Sequence, residues 1–434
     1  MRSFFKSRWS TKKLVLVSLS SALLTAVVAV IALNLKGPAK RIEQNVPHHA
    51  GIDSPLFVRE LSALLGPPIV AGNRIASLHN GDEIFPAMLE AIRAAQHTIA
   101  METFIYWSGA IGQRFAEALS DRAQAGVKVH VLVDWVGSDK MKDELVERMK
   151  RAGVEIEYYR PLRWYHLARM NHRTHRKLLI VDGQIGFTGG VGIADQWQGN
   201  AQDAEHWRDS HYRVEGPVVA QLQGTFIDNW VKTTGKTLHG ETYFPALEKH
   251  GELAAQLFKS SPTGGADSMQ LMYLMVVSAA EKSIDLSAAY FLPDEAMRKA
   301  LRAAMKRGVK VRILVPGEHI DSDLVRHASR ADWGELLEAG ALIHEFTPTM
   351  FHVKGLIVDR LLVSVGSTNF DNRSFRLNDE CNLNVYDRSF AERETEVFEH
   401  DLVRSKRITL AQWKERPWDE KLSETVSSLF SAQL

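Results

Sequence analysis

Hydrophobic positions fall into three kinds of run along the chain. From Leu14 to Leu35, 22 residues carry no charged side chain, and a helix of that length can span a bilayer. From Glu83 onward, stretches with apolar residues at helical spacing alternate with short, continuous apolar runs. PAMLEAIRAAQ and GQRFAEALSDRAQAG predict amphipathic helices, the second closing on Gly126, whereas HTIAMETFIYW and VKVHVLVDWV predict strands. Asp143 to Ala152 predicts a further helix ended by Gly153, and VEIEYYR a further strand. Segments rich in Gly and Pro separate these blocks, at residues 36–55 and 233–267.

The same order then returns. VSAAEKSIDLSAAYFLP matches IRAAQHTIAMETFIYW, AMRKALRAAMKRGVKVRILVP matches RFAEALSDRAQAGVKVHVLVD, and LLEAGALIHEF matches RMKRAGVEIEYY. The register between copies drifts only by short insertions, so the chain is an internal duplication. Continuous apolar strands between helices predict an α/β fold, each half a mixed, largely parallel sheet covered by helices. The expected organisation is a basic segment (1–13), an anchor (14–35), a linker (36–55), a first repeat (56–232), a connection (233–267), a second repeat (268–403) and a C-terminal helical segment (404–434). In the last segment, a helix starting near Pro417 places Trp418, Leu422, Val426 and Leu429 on one face. Docking of that face on the core is predicted, with membrane contact as the alternative.

Composition narrows the setting. A formal net charge of +1 and 45% hydrophobic residues over 434 positions argue against a dedicated nucleic-acid binder, which would carry a basic excess. The single cysteine, Cys381, excludes an intrachain disulfide and reads as a small buried side chain. The apolar stretch 14–35 is longer than the core of a signal peptide, and no clean small-x-small cleavage site follows it. An uncleaved anchor is therefore favoured over a cleaved signal. Arg2, Lys6, Arg8, Lys12 and Lys13 precede it and Lys36, Lys40 and Arg41 follow it. This bias turns the N-terminus inward and puts the body on the non-cytoplasmic side.

Candidate chemistry concentrates in FHVKGLIVDRLLVSVGSTNFDNRSFRLNDECNL, residues 351–383. His352 and Lys354 project from the same side of an extended strand, Asp359 and Arg360 supply a turn, and Gly366-Ser367-Thr368-Asn369 ends the next apolar run. A lone His-x-Lys before a strand is usually structural. Here it has a partner, because HRKLLIVDGQIGFTGG puts His175, Lys177 and Asp182 at the spacing of His352, Lys354 and Asp359. Cations, neutral donors and two imidazoles suit a phosphate group. If the repeats associate about a pseudo-two-fold, both sites face one phosphate. The triplet Gly235-Lys236-Thr237 is no P-loop, since Trp230 occupies the leading glycine position.

These paired motifs resemble the phospholipase D superfamily, and from about Leu56 onward the chain is similar to bacterial cardiolipin synthases. TFIYW, HRKLLIVDG, WRDSHYRVEGP, YFLPD, TPTMFHVK and VGSTNFDNRSFRLNDE carry the resemblance. It implies two phospholipase D-like repeats behind one transmembrane helix, in the inner membrane. It also implies a membrane-anchored phosphatidyltransferase that joins two phosphatidylglycerol molecules and releases glycerol, with no metal or other cofactor. By resemblance, His175 is the nucleophile and His352 the general acid and base, with the reverse order left open by the pseudo-symmetry. Lys177 and Lys354 would bind phosphate oxygens, helped by Ser367 and Asn369. Asp209 would orient His352 and Glu380 would orient His175, while Asp182 and Asp359 count among the catalytic residues as the last members of the two motifs and also hold the turn after each strand. The first half departs from the pattern, with Gly189-Gly190-Val191-Gly192 where the second has Gly366-Ser367-Thr368-Asn369, so fewer phosphate contacts are expected there, leaving more to Lys177 and Asn369. Hydrolysis, or phosphatidylethanolamine as donor, are the alternatives at the same site. A nuclease is disfavoured by the anchor and the neutral charge, so the expected partners are phospholipids and the membrane, not nucleic acid, with the oligomeric state open. The aromatic patch Trp164-Tyr165-His166 suits either headgroup contact or internal packing.

Overall fold

A computed structural model describes residues 11–35, 42, 46–161, 171–262 and 268–428; Trp164, Tyr165, His166 and Leu429 lie outside them. Helix α1 (Thr11–Leu35) has 25 residues, about 37 Å at 1.5 Å per residue, which exceeds the roughly 30 Å hydrocarbon core of a bilayer. Helix α2 (Pro55–Leu64) opens the body. The chain before it already docks: Ser278 Oγ donates to the Val46 carbonyl at 2.8 Å, and His48 Nδ1 lies 2.8 Å from the Ser278 carbonyl.

The first half runs β1 (Val70–His79), α3 (Asn80–Ala94), β2 (Thr98–Thr103), α4 (Ala110–Gln124), β3 (Lys128–Asp134), α5 (Asp143–Arg151), β4 (Glu155–Tyr159), β5 (Leu178–Val181), β6 (Ile185–Gly189), β7 (Ser210–Glu215) and α6 (Val219–Thr234). The second runs β8 (Leu253–Ser260), α7 (Met269–Ala279), β9 (Ser283–Ala288), β10 (Phe291–Leu292), α8 (Glu295–Lys306), β11 (Lys310–Pro316), α9 (Asp323–Ala331), α10 (Trp333–Glu338), β12 (Leu342–Phe346), β13 (Lys354–Val358), β14 (Leu362–Gly366), β15 (Phe370–Asp371), α11 (Asn372–Arg376), β16 (Glu380–Tyr386), α12 (Arg388–Val403) and β17 (Ser405–Ile408). Helices α13 (Leu410–Lys414) and α14 (Trp418–Ser428) follow.

The half-sheets fuse into one mixed sheet of 15 strands, ordered β17-β12-β11-β9-β13-β14-β16-β8-β1-β7-β6-β5-β2-β3-β4. The sheet is mixed as predicted, but parallel pairing is confined to β2-β3-β4 and β9-β11-β12. The expectation of a largely parallel sheet fails at the centre for a local reason. β5 and β6 meet across Asp182-Gly183, and β13 and β14 across Asp359-Arg360, with positive φ at all four residues. Such tight turns, three residues long between Val181 and Ile185 and between Val358 and Leu362, join only antiparallel strands. β1 and β8, which the hydrophobic pattern did not mark, form the seam, β1 pairing with β7 and β8, and β8 with β16.

Alternating residues of each buried strand serve two cores. Ile99, Met101, Val129 and Val131 pack under α3, α4 and α5, and Ile284, Leu286, Val311 and Ile313 pack under α7, α8 and α10. On the opposite face α6 and α12 share one core across both halves, including Phe226, Trp230, Leu257, Phe351, Leu383 and Phe398.

The C-terminal stripe does not dock. Trp418, Leu422 and Val426 are 77%, 56% and 50% exposed. α14 packs instead through its polar side on α9, where Glu424 is buried against Arg416 at 2.7 Å and Arg330 at 3.3 Å. Two arginines converging on one carboxylate decide which face turns inward.

Candidate active site

Both histidines stand just ahead of a central antiparallel strand, and backbone bonds carry each into the other half. The His175 N–H donates to the Asp379 carbonyl at 2.9 Å, and the His352 N–H to the Arg208 carbonyl at 2.8 Å. The residue after each acceptor is an acid. His175 Nδ1 therefore lies 3.0 Å from both carboxylate oxygens of Glu380, and His352 Nδ1 lies 2.7 Å from Asp209 Oδ2. A carboxylate at Nδ1 fixes the proton there and leaves the Nε2 lone pair free. The histidines, both lysines and both acids are all buried.

The lysines complete the cluster. Lys177 Nζ donates to the His175 carbonyl at 2.8 Å and Lys354 Nζ to the His352 carbonyl at 2.7 Å, the latter also 3.0 Å from His352 Nδ1. Burial, opposed by Glu380, pulls the Lys177 pKa down to about 7, and burial opposed by Asp209 pulls Lys354 to about 8. Burial likewise lowers His175 to about 4, against the pull of Glu380. His352 falls to about 3 through burial and the Lys354 charge. Burial opposes ionisation of the acids as well, but His352 and Lys354 keep Asp209 below its ordinary value, and His175 and Lys177 do so for Glu380. Four buried bases with depressed proton affinity form a site short of negative charge, which an incoming phosphodiester supplies.

The two halves hold their acids differently. Ser367 Oγ donates to Glu380 Oε2 at 2.5 Å and accepts the Cys381 N–H at 3.1 Å, while Asn378 Nδ2 donates to Glu380 Oε1 at 3.2 Å. Ser367 therefore spends its hydroxyl on the acid. Gly190 occupies the matching place in the first half, where an added Cβ would come 2.2 Å from Asp209 Oδ1. The shorter aspartate takes the space of a serine side chain, and the donor comes from elsewhere: Trp197 Nε1 donates to Asp209 Oδ2 at 2.9 Å, and the Ser210 N–H to Oδ1 at 2.8 Å. Trp197 and Trp207 also flank the His352 ring, at centroid distances of 5.2 and 5.4 Å. Phe104 does the same for His175 at 5.3 Å.

Asp182 and Asp359 stay away from the histidines, at the far ends of β5 and β13. Asp182 accepts the N–H groups of Gln96, His97 and Thr98, and Asp359 those of Glu281, Lys282 and Ser283, all between 2.7 and 2.8 Å. They brace hairpins, which corrects their inclusion among catalytic residues. Asn369 lies in the buried turn after β14, its N–H on Ser374 Oγ at 3.2 Å and its amide oxygen without a partner among the described residues. Cys381 is buried, and burial pushes its thiol up to about 11, which rules out a thiolate.

Sequence reasoning missed Trp197 and a pair of ion pairs behind the acids. Arg208 binds the Asp401 carboxylate of α12 at 2.8 Å, and Asp379 binds Lys232 of α6 at 3.2 Å. Arg208 and Asp379 each stand one residue before an acid, and each pairs with the long helix of the other half, with the charges exchanged; the matched WRD and NDE segments were the signal that pointed to these positions.

Comparison with known proteins agrees with this geometry. Residues 88–226 and 273–402 match the family described as "Cardiolipin synthase, PLD-like domain". The chain is 34% identical over 404 residues to a cardiolipin synthase of Alkalihalophilus pseudofirmus, covering 92% of this chain and 80% of that one. It is 35% identical over 370 residues to one from Geobacillus thermodenitrificans, covering 85% and 74%. In fold, it matches the crystal structure of a phosphatidylserine synthase from Haemophilus influenzae with a TM-score of 0.68 over 87% of this chain and 99% of that one, at 14% identity.

Proposed function

The chain belongs to the cardiolipin synthase family with phospholipase D-like domains, and from that premise we propose that its paired histidines carry out phosphatidyl transfer between two phosphatidylglycerol molecules. The enzyme is membrane-anchored and makes cardiolipin. The crossed contacts His175–Glu380 and His352–Asp209 carry the reading, because they leave two Nε2 lone pairs in one buried, cation-lined site.

In the first step His175 Nε2 attacks phosphorus, and the bond from phosphorus to the glycerol headgroup oxygen breaks. His352, protonated once the phosphodiester has brought its negative charge into the site, gives its proton to the departing glycerol. In the second step neutral His352 takes the proton of a free hydroxyl on another phosphatidylglycerol. That oxygen attacks phosphorus, and the phosphorus–nitrogen bond breaks to release cardiolipin and restore His175. One phosphodiester replaces another, so no energy source is consumed. Lys177, Lys354 and Asn369 would neutralise or bond the phosphate oxygens. Ser367, by contrast, would act through Glu380. The basic excess ahead of α1 supports a body on the non-cytoplasmic side of the inner membrane.

The test is incubation of the detergent-purified protein with phosphatidylglycerol, followed by lipid mass spectrometry. Cardiolipin and free glycerol, lost in His175→Ala and in His352→Ala, are the expected result. Phosphatidic acid alone would make it a hydrolase, and turnover only after addition of phosphatidylethanolamine would change the donor.

A further inference from the structure

Helix α14 is inside out for a helix in water. Its buried side is polar, with Glu424 held by Arg416 and Arg330 and Ser423 Oγ 3.1 Å from His327 Nδ1, while Trp418, Leu422 and Val426 form an exposed stripe at helical spacing. A helix that spends two arginines on burying a carboxylate while three large apolar side chains face outward has an outer face suited to something other than water.

The stripe leads toward the second motif. Arg330 pairs with Glu420 and Glu424, and His327 with Ser423, so α14 runs antiparallel to α9 and its Val426 end approaches Leu324, itself 42% exposed. Leu324 lies just past Asp321, which accepts the Tyr290 hydroxyl at 2.8 Å. Tyr290 sits beside the second motif: its neighbour Ala289 donates to the Val353 carbonyl at 3.1 Å, and its own carbonyl accepts the Phe370 N–H at 3.0 Å. The first half repeats the arrangement. Trp135 and Val136, 38% and 44% exposed, follow Asp134, whose Oδ2 accepts the Thr174 N–H at 3.0 Å, one residue before His175. Exposed apolar groups thus follow both equivalent strands, Trp135 and Val136 directly after β3 and Leu324 in the first turn of α9, the helix after β11.

We propose that this rim, formed by Trp135, Val136, Leu324 and the outer stripe of α14, inserts into the interface of the bilayer that supplies the substrate. The choice of a bilayer rests on the phosphatidyl-transfer reading and on α1, which tethers the body to a membrane. A second copy seated on the same rim would keep lipid away from both motifs, whereas a bilayer there brings phospholipid headgroups to them. Indole and aliphatic side chains at a polar rim suit the headgroup boundary.

The experiment uses the full chain in phosphatidylglycerol-containing nanodiscs, one copy per disc. A cysteine bearing an environment-sensitive fluorophore is introduced at Val426, and separately at Ala125, which is exposed at the opposite end of β3, roughly 20 Å from Trp135 along the strand. Native Cys381 is buried, so labelling under native conditions reaches the introduced thiol. The expected result is a blue-shifted emission at Val426, quenched by spin-labelled lipids and shielded from iodide, with the reverse at Ala125. Equal iodide access at both positions overturns the proposal. A blue shift at Val426 that needs several copies per disc also overturns it, in favour of a contact between copies. The probe reads contact without turnover, so this outcome is independent of whether the transfer reading survives. A Trp418→Ser, Leu422→Ser, Val426→Ser variant adds the functional arm: turnover of vesicle phosphatidylglycerol is lost while turnover of a short-chain soluble analogue is kept. Equal losses on both substrates, or none on either, would count against the rim.

Discussion

Replacing Trp197 by Phe removes one hydrogen bond and tests how the first half holds its acid. The indole N–H donates to Asp209 Oδ2 at 2.9 Å, the same oxygen that accepts from His352 Nδ1 at 2.7 Å. A hydrogen bond to a buried charge contributes about 1.5–3 kcal/mol. Because the lost donor leaves the carboxylate free to turn toward the Ser210 N–H on its other oxygen, most of that loss falls on the orientation of His352. At about 1.4 kcal/mol per decade, turnover should fall roughly tenfold to a hundredfold. The smaller ring also leaves a cavity, since Trp197 is fully buried, and that costs stability without bearing on the chemistry. Glycerol release from phosphatidylglycerol in mixed micelles, measured against pH well below the melting temperature, separates the two. Without the indole donor Asp209 becomes more basic and holds the His352 proton more tightly, so the limb of the pH profile set by His352 moves upward. A kcat within about twofold of wild type with an unmoved limb would refute the assignment, even if the melting temperature drops.

The remaining predictions use the same assay or simple unfolding. Ser367→Ala removes the corresponding donor from Glu380 and should lower turnover by a similar factor, about tenfold or more; unchanged turnover would refute that role, and a raised KM with kcat kept would make Ser367 a phosphate ligand instead. Asp401→Asn leaves Arg208 buried opposite a neutral partner and should cost roughly 3–5 kcal/mol in denaturant unfolding. Lys232→Met should cost far less, because Lys232 is 32% exposed and Asp379 keeps Arg176 and the Tyr159 hydroxyl. Substrate affinity should fall as pH rises above about 7, where the empty site releases the Lys177 proton. A bound phosphodiester favours that proton, so KM climbs toward tenfold per pH unit until the complex also deprotonates, and Lys177→Arg, which stays charged, flattens the climb.

Much of this architecture was legible in the sequence because it is local or repeated. The apolar run of α1, the helix–strand alternation and the duplicated His-x-Lys pattern each depend on near neighbours, and the structure brings both motifs to one site. What escaped depends on distant partners. β1 and β8 mix polar residues such as Asn73, Arg74, Gln256 and Lys259 into their strands, and pairing across the seam defines them as strands. The glycines at 189, 190 and 192 read as a loss of phosphate contacts. In the structure Gly190 is the space that Asp209 requires, and the missing donor arrives from Trp197, seven residues on. The stripe of α14 was predicted to face inward because apolar faces usually do; Arg330 and Arg416, distant from Glu424 in sequence or in helical register, reverse it.

The central claim is a covalent phosphatidyl-histidine at His175, with His352 moving the protons. The most direct measurement mixes His352→Ala with a phosphatidylglycerol analogue whose headgroup is p-nitrophenol, a leaving group that needs no acid. A burst of one p-nitrophenolate per enzyme is predicted, with one phosphatidyl group found on the His175 peptide after alkaline denaturing quench and mass spectrometry. The adduct should accumulate, because no base remains to activate the second alcohol. Absence of the burst, or an adduct on a peptide without His175, would contradict the account.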